Sequence, residues 1–399
     1  MNRVNELIKE YCPDGVEIRC LEDCCNLLDK KRKPITKAAR EAGEYPYYGA
    51  NGIQDYVANY IFDGTFVLVG EDGSVITKSG TPVVTWAEGK IWVNNHAHII
   101  EEKDGVMLRY LYHYLQTIDV TSLIHGNIPK LTGGDFKALK IAVPPLEVQR
   151  EIVHILDSFT LLTAELTAEL TARKKQYEYY RDNILTFDTT IKHVRLGDIC
   201  SVITKGTTPK RYTKTGVSFV KTEAFDGAKI IPNKLSYVDE ETHTTFLKRS
   251  MLEENDILIT IAGATIGKCA IVPKEILPAN TNQALAIIRL AKGNSPKYVM
   301  YLLQSDLMKR YMQKNIKGSA QPNLNLKQLN DFIIPLPPLN VQERLVRVLD
   351  NFEAICTDLN IGLPAEIEAR QKQYEYYRDL LLTFAETGST LMTDRAERN

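Results

Sequence analysis

The chain has 399 residues, 44% of them apolar and 25% charged, with a formal net charge of −1 and a pI near 6.7. That length suits two or three domains with cores of their own. The near-neutral balance excludes binding of nucleic acid through bulk positive charge, so any such affinity has to come from local basic patches. No run is long and apolar enough to suggest a membrane span, and the charged, amphipathic residues 1–15 are unlike a signal peptide. Seven cysteines, with Cys24 and Cys25 adjacent and no zinc-spaced CxxC pair, read as reduced, packed thiols of a cytoplasmic protein.

A short helix is expected over residues 3–11, followed by a block from about 16 to 143 rich in Gly, Asn and Tyr. Within it FVLVG (66–70), PVVTW (82–86) and KIWVNN (90–95) read as strands, and LRYLYHYLQ (108–116) as a short helix. Pro144 and Pro145 end the block and suit a helix start. Over 146–187, Ile152, Leu156, Phe159, Leu162, Leu166, Leu170, Tyr177, Tyr180 and Ile184 recur at steps of mostly three and four, a heptad-like seam. A second mixed block, about 190–336, carries strand-like DILITIAG (256–263) and ALAIIRL (284–290) and the helical segment PKYVMYLLQ (296–304). A second seam over 339–386 includes Leu345, Leu349, Phe352, Tyr374, Tyr377 and Leu381. Gly362 and Pro364 are poor interior helix residues, so an interruption is expected at 360–364.

The chain is internally duplicated. RKKQYEYYRDNILTF (173–187) matches RQKQYEYYRDLLLTF (370–384), and PPLEVQREIVHILDSF (144–159) matches PPLNVQERLVRVLDNF (337–352), with four more residues inside the second cassette. KHVRLGDIC (192–200) echoes VEIRCLEDCC (16–25), and each block reaches its cassette through a Gly/Asn/Pro loop, HGNIPKL (125–131) or KGSAQPNLNL (317–326). The expected fold is α+β: two pseudo-symmetric mixed domains separated by two long antiparallel helices that form a coiled-coil-like spacer, each helix about 60 Å long. The expected limits are 1–145 for the first domain, with its leading helix at 1–12, then 146–187, 188–338 and 339–387, and a frayed tail at 388–399. The leading helix has no upstream partner and is expected to pair with the end of the last one.

Inside the first helix, TAELTAEL (163–170) is a tandem four-residue repeat. Four residues lengthen an α-helix by about 6 Å and turn it about 40° beyond a full turn. One base pair turns a duplex by about 34–36°. The repeat is therefore either a ruler for rotation along DNA or a helix-favouring slippage product on a solvated face.

Taken together, the variable block, PPL-x-x-Q cassette, second variable block, second cassette and TAEL repeat beside RKKQYEYYRD resemble the specificity subunit of type I restriction–modification enzymes over essentially the whole chain. The resemblance implies two target-recognition domains, each reading one half of an asymmetric bipartite site in double-stranded DNA. It implies helical cassettes that set the spacer and dock two methyltransferase (modification) subunits, with repeat number tied to spacer length. S-adenosylmethionine would belong to those partners, which methylate adenine, and ATP and magnesium to separate restriction subunits. This chain would itself be non-catalytic and carry no cofactor, metal or membrane anchor.

Candidate DNA contacts follow from cations for phosphates and from amides, guanidinium groups and hydroxyls for base edges. In the first domain they are Lys31 and Arg32 in a basic run, which is either DNA-flanking or a solvated loop. Tyr47, Tyr48 and Asn51 lie in a Gly/Asn/aromatic loop, and Lys78, Asn94, Asn95, His96, His98, His125, Asn127 and Lys130 extend the surface. In the second domain Lys205, Thr207, Thr208, Lys210, Arg211 and Lys221 belong to the clearest basic stretch, joined by Asn280, Asn282, Gln283, Lys317, Ser319, Gln321 and Asn323. The seam residues Leu156, Phe159, Leu166, Leu170, Tyr177, Tyr180, Leu349, Phe352, Tyr374 and Tyr377 are expected to pack helix on helix or against the methyltransferase.

Catalytic signatures are weak. No Asn/Asp-Pro-Pro-aromatic motif for holding a target amine is present, and AGATIGKC (262–269) lacks phosphate-loop spacing and the Ser/Thr for magnesium. Asp72, Glu88 and Lys90 form a D…ExK-like set that would make the chain a magnesium-dependent nuclease. A coiled-coil adaptor without a DNA role is the remaining alternative.

Overall fold

A computed structural model describes residues 2–188, 190–263, 265–315, 323–357 and 362–383. It divides into two compact units, Met1–Thr167 with Glu366–Asn399, and Ala168–Ala365. Each unit thus takes one variable block, the start of one helical cassette and the end of the other. Helix and strand are mixed in both, as an α+β chain requires.

The first unit is built on a six-stranded sheet whose spatial order is Asn26–Leu27, Ala97–Glu101, Phe62–Gly70, Val84–Val93, Ala42–Gly49, Gly52–Val57. Val67, Val69 and Ile100 bury one face of this sheet against Leu108, Leu111 and Leu115 of the helix Leu108–Leu115. The segments 82–86 and 90–95, read from sequence as two strands, belong to the single strand Val84–Val93, which pairs along the length of Phe62–Gly70. Intervening Ala87-Glu88-Gly89 looks like a turn locally, and Gly89 does take a positive φ of 78°, but the pairing with Phe62–Gly70 continues through it opposite Gly64.

The second unit repeats this plan with one break. Its four-stranded sheet runs Cys200–Lys205, Leu285–Leu290, Ile257–Thr260, Cys269–Ile271, and a three-stranded sheet runs Ser236–Val238, Val217–Val220, Ala279–Thr281. The counterpart of Val84–Val93 is split into Cys269–Ile271 and Ala279–Thr281. Pro273 and Pro278 lie between the two pieces and have no N–H to give a ladder, so one sheet becomes two.

The repeated PPL-x-x-Q string has a structural meaning that its sequence did not reveal. Gln149 is fully buried; its Oε1 accepts from the Met107 N–H at 2.9 Å and its Nε2 donates to the Pro144 carbonyl at 2.7 Å and the Gly105 carbonyl at 3.1 Å. Gln342 does the same in the second unit, accepting from Ser295 N–H at 3.0 Å and donating to the Pro337 carbonyl at 2.9 Å. Each glutamine ties the start of a cassette to the start of a short helix, Leu108–Leu115 or Pro296–Gln304. One turn on, Tyr110 and Tyr298 are buried and donate to the carbonyls of Ala142 and Pro335. Gln149→Ala leaves an amide and two carbonyls unpaired in the interior and is expected to cost the first unit about 2–3 kcal/mol. Both tryptophans, Trp86 and Trp92, lie in that unit, so urea unfolding followed by tryptophan fluorescence measures the loss.

Of the cassettes, the first is one helix, Leu146–Ile184, and the second forms two, Leu339–Thr357 and Leu363–Leu382, with 358–361 outside the described residues. Pro364 stands in the first turn of the last helix, where its missing N–H costs nothing. In the first unit Val4, Leu7 and Ile8 of the opening helix Asn2–Tyr11 share a core with Val148, Ile152, Leu156, Leu380 and Leu381, so the first and last helices meet as expected. Phe159 stacks on Tyr377 at 5.2 Å in this unit, and the repeat-related Phe352 stacks on Tyr180 at 5.8 Å in the other. Tyr374 and Tyr177 are also equivalent: Tyr374 is buried and bonded to His113, while the Tyr177 hydroxyl is buried without a partner among the described residues. Leu349 is fully buried, and Leu166 and Leu170 are half-buried. No helix among the described residues is long and apolar enough to cross a membrane.

Candidate nucleic-acid interface

Most of the first-domain candidates converge on one end of the six-stranded sheet. Backbone hydrogen bonds draw three distant segments together there: Glu71 N–H donates to the His96 carbonyl and Leu131 N–H to the Glu71 carbonyl, both at 2.9 Å. Lys33 N–H reaches the Val93 carbonyl at 3.3 Å, and Asn94 N–H the Tyr48 carbonyl at 3.1 Å. The turn at 94–96 is set by Asn94, whose Oδ1 accepts from His96 N–H at 2.8 Å. This is the local bond for which Asn is suited in turns, and it leaves Asn95 and His96 exposed. Lys31, Asn51, Lys78, His125 and Asn127 are also exposed.

Several candidates are corrected to structural roles. His98 is buried, stacked on Phe136 at 4.3 Å, with Nδ1 at 2.7 Å from Asp29 and Nε2 at 3.2 Å from the Leu131 carbonyl. The strand Ala97–Glu101 is buried on both faces around it, so alternation offers no exposed side for this ring. Tyr47 is buried with its hydroxyl on Ile35 and its ring under Arg40, and Tyr48 is buried in the sheet core. Asn94 is an interior turn-former. Asn280 is fully buried, bonded to His243 at 2.6 Å and to the Leu247 carbonyl at 3.0 Å. None of these five can present its side chain to a duplex without unfolding its surroundings.

Arg32 is committed within the protein. Its guanidinium lies 2.6 Å from Glu71, 3.4 Å from Asp29 and 2.6 Å from the Ala97 carbonyl. Lys130 stands 3.3 Å from the other oxygen of Glu71. Burial alone would raise the Asp29 carboxyl, but the hydrogen bond with His98 and the nearby Arg32 hold it below the ordinary range. Asp29, Glu71 and His98 bring three ligand atoms close enough for a metal. Arg32 and Lys130 already match the two carboxylates, so the arrangement is an ion-pair network that stiffens the edge.

In the second unit the same edge is assembled by the same bonds. Ile261 N–H donates to the Ala284 carbonyl and Leu324 N–H to the Ile261 carbonyl, both at 2.8 Å, and Thr207 N–H reaches the Thr281 carbonyl at 2.9 Å. Asn282 repeats the turn of Asn94, accepting from Ala284 N–H at 3.1 Å. Gly206 makes the close approach possible: a Cβ there would lie 2.1 Å from the Asn282 carbonyl oxygen. Lys205, Thr208, Lys210 and Arg211 are exposed around it, with Arg211 3.7 Å from Asp239, and the Lys221 ammonium sits 3.9 Å over the Tyr212 ring. Gln283 and Asn323 are exposed at the same edge, whereas Lys317, Ser319 and Gln321 lie outside the described residues.

The nuclease set is not assembled. Glu88 pairs with Thr65 in the sheet and accepts from the Trp86 indole, Lys90 lies over Tyr60, and Asp72 contacts His96 beyond the far end of Phe62–Gly70. Seven residues of extended chain, about 23 Å, separate the two carboxylates.

The family model described as type I restriction modification DNA specificity domain matches this chain twice, over residues 13–173 and 189–369. A putative type I restriction enzyme specificity subunit of Haemophilus influenzae is 37% identical over 385 residues, covering 93% of this chain and 96% of its own. The EcoR124I/EcoR124II specificity subunit of Escherichia coli is 32% identical over 297 residues, covering 71% and 72%. A chain in a solved structure concerned with complex assembly and conformational transition of the type I R-M system shares the fold, with a TM-score of 0.57, 17% identity and coverage of 93% and 98%. Two matched domains on two units of one plan leave a single conclusion: this chain belongs to the type I restriction–modification DNA specificity subunits, the non-catalytic members of those systems.

Proposed function

We propose that each unit reads one half of an asymmetric bipartite site in double-stranded DNA, and that the helical cassettes set the spacer and dock two methyltransferase subunits. The observation that carries this reading is the edge built twice by one hydrogen-bond scheme but furnished with different side chains. Identical scaffolding gives both units the same approach to a groove, and the differing side chains give each its own sequence. The basic residues around Lys205 and Lys31 supply phosphate contacts, which position the protein without specifying bases. Cassette tyrosines left on the surface, Tyr179 and the repeat-related Tyr376, suit the docking of one methyltransferase on each unit. S-adenosylmethionine stays with those partners, ATP and magnesium with the restriction subunits, and the complex works in the cytoplasm.

Sequencing of methylated adenines in the host, with and without this gene, tests the reading. The gene is expected to account for one bipartite motif, and its deletion to erase that motif. Exchange of residues 190–336 for the matching block of a relative is expected to change one half-site and leave the other intact. Changes in both half-sites, or in neither, count against two independent readers.

A further inference from the structure

The bond pattern that builds the two edges also aligns them residue by residue. Val93 and Thr281 occupy one position, since each carbonyl receives the incoming loop, from Lys33 in one unit and Thr207 in the other. Asn94 and Asn282 are the matching turn-formers. One residue on, Asn95 and Gln283 are therefore equivalent, and both are exposed. An isolated bridge joins Asp72 to Lys130 in the first unit and Ala262 to Asn323 in the second, each immediately before a leucine whose N–H closes the edge. Lys130 and Asn323 are equivalent too, and both are exposed.

We propose that Asn95 with Lys130, and Gln283 with Asn323, are matched base-reading pairs: the same two positions in each unit, carrying the residues that make the half-sites differ. This rests on the DNA-recognition reading given above. Three features separate these positions from their surroundings. The residues that flank them are pinned by hydrogen bonds at the edge, so the side chains project from held points. Asn95, Gln283 and Asn323 are all exposed to solvent. Their chemistry is that of base edges: an Asn or Gln amide matches the donor and acceptor of adenine, and a Lys ammonium the acceptors of guanine. Lys130 is aimed by Glu71, whose second oxygen is held by Arg32. In the second unit Ile261 replaces Glu71, and an uncharged Asn323 replaces the lysine it would have held.

The test uses the full chain assembled with its modification subunits, and the readout is methylation of the wild-type site against a panel of single-base variants. Gln283→Ala and Asn323→Ala are each expected to lower the preference for the wild-type base at one position of one half-site by about 10-fold or more, with the other half-site unaffected. The double exchange Gln283→Asn with Asn323→Lys is expected to shift that half-site toward the one read by the first unit. A uniform fall in methylation across the panel, with preference unchanged, would mean phosphate contact or simple destabilisation and overturns the proposal. So does full retention of preference in both alanine variants. A wild-type complex that methylates no bipartite site would instead overturn the reading on which the proposal rests.

Discussion

One additional TAEL unit inserted after Leu170 is expected to lengthen the gap between methylated half-sites by about one base pair and to leave both half-sites unchanged. The repeat lies within one unbroken helix, Leu146–Ile184, so the insertion extends the helix without adding a joint. Ala164, Glu165, Thr167, Ala168 and Glu169 are exposed, and only Thr163 and the two leucines are half-buried. The division between the two compact units falls inside the repeat, at Thr167 and Ala168, so neither core has to be repacked. The added rotation of about 40° is within about 6° of one base-pair step. The added rise, about 6 Å, exceeds the roughly 3.4 Å of a base pair, and the excess has to be absorbed by bending. A second added unit doubles that excess and is expected to lower methylation while still shifting the spacer. Replacing Thr167 by Ala, which keeps helix length, is expected to leave the spacer alone. Methylome sequencing of cells carrying each version decides the matter; altered half-sites, or an unaltered gap after insertion, would sink the ruler.

The helices, the duplication and the short helices 108–116 and 296–304 were legible because repetition and periodicity are properties of the string. The edge was legible in part. Asn95, His96, Lys130, Gln283 and Asn323 were singled out by residue chemistry, and within each unit the structure brings their segments together. Buried and exposed polar residues could not be told apart by chemistry alone: Asn94 and Asn95 are adjacent and identical, yet one forms the turn and the other caps it. His98 and Asn280 likewise carry the right groups, but in strands buried on both faces. The split of one long strand into two in the second unit is written in Pro273 and Pro278, but only the first unit's continuous strand shows what was broken. Gln149 and Gln342 were visible as a repeated letter whose role depends on main-chain groups that no sequence pattern displays.

The two units also share a polar clamp beneath their recognition sheets, and Asp157→Ala is expected to cost more than the equivalent Asp350→Ala. Asp157 accepts from Arg109 Nε at 2.7 Å and from His113 Nε2 at 2.8 Å. Arg109 is also flanked by the rings of Trp86 and Tyr112 at 4.7 and 4.6 Å, and His113 is fully buried with Nδ1 at 2.9 Å from the Tyr374 hydroxyl. Removing the carboxylate strands a half-buried cation and a buried imidazole N–H, for about 2–4 kcal/mol. Asp350 accepts from Lys297 at 2.6 Å and Tyr301 at 2.6 Å, but Lys297 is half in solvent and Tyr301 keeps a second acceptor, Glu353, at 2.9 Å. Its loss is expected to cost about 1–2 kcal/mol and to leave the tryptophan-reported transition of the first unit in place. The clamp also makes the first unit sensitive to pH. Burial pushes the His113 imidazole below its ordinary value, against the opposing pull of Asp157. The unfolded chain therefore takes up this proton more readily than the folded one. Stability contributed by neutral His113 is complete above the unfolded value of about 6.5 and is lost as pH falls below it, at up to about 1.4 kcal/mol per pH unit. The Asp157 carboxylate, raised by burial but held lower by His113 and Arg109, loses its contribution only in a more acidic range. Urea unfolding monitored by tryptophan fluorescence from pH 7.5 to 5.5 is expected to show this decline in the wild type and a flatter profile in His113→Gln. An equal slope in both proteins would place the sensitivity elsewhere.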